Sequence, residues 1–131
     1  MPFIVWNDNI GLGIREIDDQ HKVLIDIINK LFDAMSAKKA KDILSAIFKE
    51  LIDYTRYHFS AEETLMETCK YPDLAQHKHE HERLTVQVLD LQEQFAEGKV
   101  MVDAKLMNFL RDWLIDHIHI SDKKICLFIK G

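Results

Sequence analysis

Hydrophobic side chains recur at steps of three and four residues through four blocks of the 131-residue chain. This spacing is typical of helices that bury one face, because each residue advances about 100° around a helix. The strict alternation that is typical of strands does not persist anywhere. We therefore predict an all-α fold over a single domain, 1–131, an up-down-up-down four-helix bundle with an N-terminal arm at 1–17 and helices at about 18–37, 40–68, 72–97 and 103–128.

Four residues in the linking segments suit helix ends. Asp18 and Asp103 can cap the first and fourth helices, since a carboxylate accepts hydrogen bonds from free backbone N–H groups. Pro72 suits a first helical turn. Gly98 suits the end of the third helix.

Composition and charge exclude several classes of function. The 17 basic and 22 acidic residues give a net charge of −5, so neither a nucleic-acid partner nor a basic membrane-surface role is expected. No run of eighteen apolar residues predicts a membrane span. The two cysteines, Cys69 and Cys126, are too few for a disulfide framework. With no apolar signal segment in the first twenty residues, we expect a cytoplasmic protein.

Five of the seven histidines fall on the inward stripes of the predicted helices, whereas His79 and His119 face outward. Glu62 shares the inward stripe of the second helix. A lone inward histidine is usually a core residue with one hydrogen bond, but a whole group cannot easily satisfy its own members. Each unpaired buried group costs about 1–3 kcal/mol, and imidazole binds iron, zinc, copper and nickel. We therefore predict a metal site among the inward histidines, which are His21, His58, His77, His81 and His117.

The pattern of the fourth helix does not decide whether the carboxylate of Asp122 faces inward. Its stripe includes Phe109, Trp113, His117 and Ile120, which we expect to be buried. Asp122 lies five residues after His117, about 140° around an ideal helix. It would therefore reach the interior only if the helix is locally widened or rotated.

These blocks, in this order, resemble the hemerythrin family over essentially the whole chain, and within it the stand-alone bacteriohemerythrins. The similarity is carried by His21, by His58-Phe59-Ser60-Ala61-Glu62, by His77-Lys78-His79-Glu80-His81, by His117 with Asp122, and by the arm with Trp6, Gly11 and Gly13. The resemblance implies a non-haem centre of two iron ions with an oxo or hydroxo bridge. It implies that Glu62 and Asp122 bridge the irons and that the ligands are His21, His58, Glu62, His77, His81, His117 and Asp122.

Such a ligand set leaves one coordination position vacant. The resemblance implies that one iron is held by His77, His81 and His117 and the other by His21 and His58. If each iron has about six positions, the bridges complete the first iron, whereas the second is one ligand short. Dioxygen is expected there. By resemblance, the pocket around it is apolar and is lined by Leu24, Phe59, Trp113, Leu114 and Ile118.

We expect reversible dioxygen storage or delivery rather than catalysis, so the protein is predicted not to be an enzyme. The chain lacks the Glu-x-x-His motif of di-iron oxygenases and ferritin-like proteins and the His-Glu-x-x-His motif of zinc proteases. Alternatives are an oxygen or redox sensor, a di-iron oxidase acting on a small molecule, or a zinc or manganese pair. The expected partners are dioxygen and an oxygen-consuming enzyme. The sequence shows no exposed apolar stripe that would favour self-association, so we expect a monomer.

Overall fold

A computed structural model describes residues 2–131 of the chain and confirms the all-α four-helix bundle. Within these residues every regular element is helical. The fourth helix continues without interruption through a π-helical turn into a final short helix. The elements are α1 (Arg15–Ser36), α2 (Lys41–Thr68), α3 (Leu74–Ala96), α4 (Ala104–His117), the π segment (Ile118–Asp122) and α5 (Lys123–Lys130).

The first helix begins earlier than the sequence predicts, at Arg15 instead of residue 18. Asp18 is therefore not the N-cap and lies inside the first turns. Its carboxylate instead accepts hydrogen bonds from the backbone N–H groups of Leu12, at 2.8 Å, and Gly13, at 3.1 Å. Asp18 thus fastens the N-terminal arm to α1, which is a different use of the same acceptor chemistry.

The other helix ends follow the predicted chemistry more closely. Asp103 caps α4 by accepting a hydrogen bond from the Leu106 N–H at 2.9 Å. Gly98 follows α3 with a φ of 78°, in the left-handed region that glycine adopts without strain. Pro72 lies before α3 and not in its first turn, because α3 begins at Leu74.

The core contains the inward stripes of all four long helices, and Leu24, Phe48, Leu51, Val88 and Leu110 are fully or almost fully buried. Phe109 and Ile120 depart from the prediction and are 40 % and 61 % exposed. The buried face of α4 is centred on Leu110, and Phe109 lies one helical step, about 100°, to its side. Ile120 is turned outward within the π segment. No helix in residues 2–131 has the length and apolarity needed to cross a membrane.

Candidate metal centre

Seven predicted site residues from all four long helices meet at one level of the bundle. Each is at most 5 % exposed, and the structure also places His79 and His119 at the surface, as their helical positions predict. A cluster of this kind is costly to bury unless every polar atom finds a partner. Its members are His21 on α1, His58 and Glu62 on α2, His77 and His81 on α3, His117 on α4 and Asp122 at the end of the π segment.

Two groups of potential ligand atoms share the same pair of carboxylates. Within each group the atoms lie within 4.8 Å of one another, close enough to surround a metal ion. Glu62 and Asp122 belong to both groups, so each could bridge two ions. One group adds three histidines and the other adds two, namely His77, His81 and His117 in the first and His21 and His58 in the second.

The π segment brings Asp122 into the cluster. A π turn is closed by hydrogen bonds between residues five apart, so Asp122 comes round toward the face of His117 instead of lying about 140° away. Its Oδ1 is 3.0 Å from His117 Nε2 and 3.3 Å from His77 Nε2. Its Oδ2 is 2.9 Å from His21 Nε2. The carboxylate therefore faces histidines of both groups.

Glu62 occupies the equivalent position on α2. Its Oε1 is 3.1 Å from His81 Nε2 and 3.6 Å from His77 Nε2, while its Oε2 is 3.3 Å from His58 Nε2 and 3.7 Å from His21 Nε2. The two oxygens thus face opposite groups. This is the arrangement that a bridging carboxylate requires.

The mutual charges of the cluster overcome the effect of burial on its pKa values. Burial disfavours the charged form of an ionisable group. The nearby negative charges of Asp122 and Glu62 nevertheless raise the pKa of His21 and of His77 to about 9, and raise that of His117 well above its ordinary value. In return the surrounding histidines hold the pKa of both carboxyls below the ordinary range, although burial, and for Asp122 the Glu62 charge, oppose this. Without metal, protons supply the positive charge that the acids need.

Protons do not satisfy the cluster completely. Five of its buried inward-facing atoms have no hydrogen-bond partner, and such atoms are rare in native proteins. All five are atom types that bind transition metals, so the residues fit a pair of metal ions better than they fit one another. The unpaired atoms are His58 Nε2, His77 Nε2, His117 Nε2, Glu62 Oε2 and Asp122 Oδ1.

Outside the cluster, two carboxylates hold the outer ring nitrogens of two members of the three-histidine group, His81 and His117. His81 Nδ1 is 2.8 Å from Glu63 Oε2, and His117 Nδ1 is 3.0 Å from Glu80 Oε1. The Ser121 hydroxyl donates to the other oxygen of Glu80 at 2.6 Å. The hydrogen bond from His117 keeps the pKa of Glu80 low, at about 2, although partial burial opposes this.

The outer nitrogens of the two-histidine group have different surroundings. His58 Nδ1 is 2.6 Å from the amide oxygen of Gln20, and His21 Nδ1 is buried without any partner. Gln20, Glu63 and Glu80 were not predicted from the sequence as site residues. The only sequence signal for them is their position, because each directly precedes or follows a predicted ligand.

The five residues predicted to line an oxygen pocket are all buried, at 7 % exposure or less. Phe59 stacks on the His81 ring, with the centroids 3.9 Å apart and the planes 3° from parallel. The Trp113 indole N–H donates to the Leu84 carbonyl at 3.2 Å, so its ring is fixed. The remaining three are aliphatic side chains of the main core, Leu24, Leu114 and Ile118.

A four-helix bundle with a buried histidine–carboxylate cluster suited to two ions defines a class of metal-binding proteins. The family model described as hemerythrin HHE cation binding domain matches residues 12–126. The chain belongs to the hemerythrin family. The cluster is compatible with a binuclear iron site of the type expected in that family.

Relatives and solved structures agree with this assignment over nearly the whole chain. The chain is 38 % identical to a bacteriohemerythrin of Methylococcus capsulatus (strain Bath), with 94 % of each chain covered. It is 39 % identical to a bacteriohemerythrin of Pseudomonas aeruginosa (strain LESB58), covering 93 % of this chain and 78 % of that one. A wild-type hemerythrin crystal structure superposes with a TM-score of 0.89 at 35 % identity, covering 98 % and 99 % of the two chains.

Proposed function

We propose that this protein binds dioxygen reversibly at a non-haem di-iron centre and serves in oxygen storage or delivery. The single observation that carries the proposal is the pair of ligand groups that share Glu62 and Asp122. In the proposed centre these carboxylates would be shared by two irons, and the family resemblance implies a further oxo or hydroxo bridge. The complete ligand set is His21, His58, Glu62, His77, His81, His117 and Asp122.

The unequal size of the two groups supports one vacant coordination position. Three histidines accompany the shared carboxylates in one group and two in the other. With about six positions for each iron, only the ion beside His21 and His58 would lack a ligand. When bound, the ferrous pair would supply the electrons and the vacant position that dioxygen binding requires.

The chain's own part is to fix the ligands and keep water away from the vacancy. Water and small anions would compete for this position. His21 and His58 are 0 % and 1 % exposed. The residues we propose as the pocket lining are apolar apart from the Trp113 N–H, which donates to the Leu84 carbonyl. Those residues are Leu24, Phe59, Trp113, Leu114 and Ile118. A dry pocket of this kind favours recovery of the ligand unchanged.

A carrier is favoured over an enzyme because the proposed centre has a single vacancy and none of the five residues proposed as its lining has a side chain that acts as an acid or a base. The proposed location is the cytoplasm, which is consistent with the two free cysteines, Cys69 and Cys126. We also propose a monomer that supplies dioxygen to an oxygen-consuming enzyme.

Reversibility tests this function directly. The protein is loaded anaerobically with ferrous iron and cycled between oxygen and vacuum while its visible absorption is followed. A carrier recovers its deoxygenated spectrum in every cycle. Prompt conversion to a stable di-ferric form would instead indicate an oxidase or a redox sensor. A separate metal analysis of the purified protein distinguishes iron from a zinc or manganese pair.

A further inference from the structure

The two ligand groups differ in what holds their histidines from behind. In the three-histidine group, carboxylates lie 2.8 Å and 3.0 Å from the outer nitrogens of His81 and His117. These carboxylates belong to Glu63 and Glu80. Both rings are thus connected on one side to the shared acids and on the other to a further negative charge.

The two-histidine group has no such charge. The outer nitrogen of His58 faces the neutral Gln20 amide oxygen at 2.6 Å. The outer nitrogen of His21 is buried and unpaired. Its ring is therefore positioned by packing and by the cluster alone.

A carboxylate that accepts the outer N–H of a metal-bound imidazole orients the ring and makes its other nitrogen a stronger donor. A neutral amide oxygen does so less, since a hydrogen bond to a charged group is roughly twice as strong as one between neutral groups. We infer that Glu63 and Glu80 are positioning residues that make the three-histidine position the stronger metal site, whereas Gln20 leaves the two-histidine position weaker.

The surroundings of the two acids are consistent with this role. Ser121 donates to the second oxygen of Glu80 at 2.6 Å, so Glu80 is held from two sides and its ring partner cannot swing freely. The side chains of Glu63 and Glu80 are only 27 % and 28 % exposed, which limits the screening of their charges by water.

The inference rests on the ligand assignment of the proposed function. It predicts the order in which the two metal positions fill. The first ion fills the strongly held position beside His77, His81 and His117. The second ion is held by fewer and weaker donors, next to the vacancy. Loading would therefore be ordered, and a loss of metal would begin at the oxygen-binding position.

Anaerobic titration of the metal-free protein with cobalt(II), followed by absorption and calorimetry, tests this order. The unmodified protein should bind two cobalt ions in two resolved steps. Glu63→Gln and Glu80→Gln should each weaken the tighter step by roughly tenfold to a hundredfold and leave the weaker step nearly unchanged. Glu67→Gln is the matched control, because Glu67 lies on α2 but pairs with Lys78 at the surface. It should change neither step.

Gln20→Glu provides the reciprocal test, because it places a carboxylate behind His58 without altering side-chain size. It should tighten the weaker step and bring the two affinities together. The inference is wrong if both glutamate variants retain the unmodified affinities, if they weaken both steps equally, or if Gln20→Glu acts on the tighter step. Failure of the unmodified protein to bind two cobalt ions would instead contradict the ligand assignment itself, so the two failures are distinguishable.

Discussion

His21 on α1 and Asp122 on the last turn of the π segment form a fully buried pair, with Nε2 and Oδ2 2.9 Å apart. The pair joins the first long helix to the last across 101 residues of sequence. A buried charge pair is expensive to form, and removal of one partner is strongly destabilising because the other charge is left alone. The pair is therefore easier to explain as part of a metal centre than as a stabilising contact.

Asp122→Asn should reduce the metal content of the protein. The substitution keeps the size of the side chain but removes the charge that faces histidines of both groups. Anaerobic reconstitution followed by metal analysis should give clearly fewer than two irons per chain. Asp116→Asn, at an exposed position of α4, is the control and should retain the full content. Two tightly held irons in the Asp122 variant would contradict the bridging role.

The stability of the metal-free protein should fall as the pH rises from about 6.5 to about 9. The folded protein raises the pKa of His21 and His77 from 6.5 to about 9, so their contribution is complete below 6.5 and is lost through 9. The lowered pKa values of Glu62 and Asp122 add a loss below about 4.5. The midpoint temperature of thermal unfolding should therefore be highest between about pH 4.5 and 6.5.

The metal-loaded protein should not show this loss between pH 6.5 and 9. Metal binding requires deprotonated histidines, so the metal affinity rises with pH and offsets the stability that the metal-free form loses, which leaves a nearly flat unfolding profile. Parallel unfolding profiles for the two forms would exclude these histidines as ligands.

Leu114→Ala should shorten the lifetime of the oxygenated protein. Leu114 is 3 % exposed, and its truncation would open the apolar shell to water while costing about 2–5 kcal/mol of folding stability. Autoxidation should accelerate in a spectroscopic time course. Leu127→Ala, at a residue that is 60 % exposed, should change neither quantity. An unaltered lifetime in the Leu114 variant would remove this residue from the proposed pocket.

Asp103→Ala should lower the free energy of unfolding by about 0.5–2 kcal/mol, because α4 loses the acceptor for the Leu106 N–H. Chemical denaturation measures the change. Asp103→Asn keeps an acceptor at the cap and should be nearly neutral. Iron content should be the same in both variants, since the cap is distant in sequence from the ligands of this helix. A smaller loss in the alanine variant than in the asparagine variant would contradict the capping role.

Periodicity predicts the bundle well because burial of one helical face dominates its energy. It also predicts which histidines face inward, since each lies a whole number of turns from a buried apolar residue. The spacing could not decide whether Asp122 faces the interior, because the π turn that reorients it has no signature in a 3.6-residue pattern. The same irregularity explains why Ile120, which we expected in the core, is exposed.

Helical periodicity could not identify the residues that form hydrogen bonds with the ligands. Glu63 and Glu80 lie next to ligands in sequence, so simple helical angles place them toward the surface. Their partial exposure allows the carboxylates to reach around to ring nitrogens on neighbouring helices, at distances that only packing determines. Asp18 shows the same limit. Its acceptor chemistry was predicted, whereas the backbone groups that it binds depend on the path of the arm.

The most direct test of the central claim is an anaerobic titration of the fully reduced, iron-loaded protein with measured amounts of dioxygen. A di-iron centre with a single vacancy should give an endpoint of one dioxygen for each pair of irons, with the bound gas released again under vacuum. Uptake without release, or an endpoint of one dioxygen for each iron, would contradict a shared centre with a single vacancy.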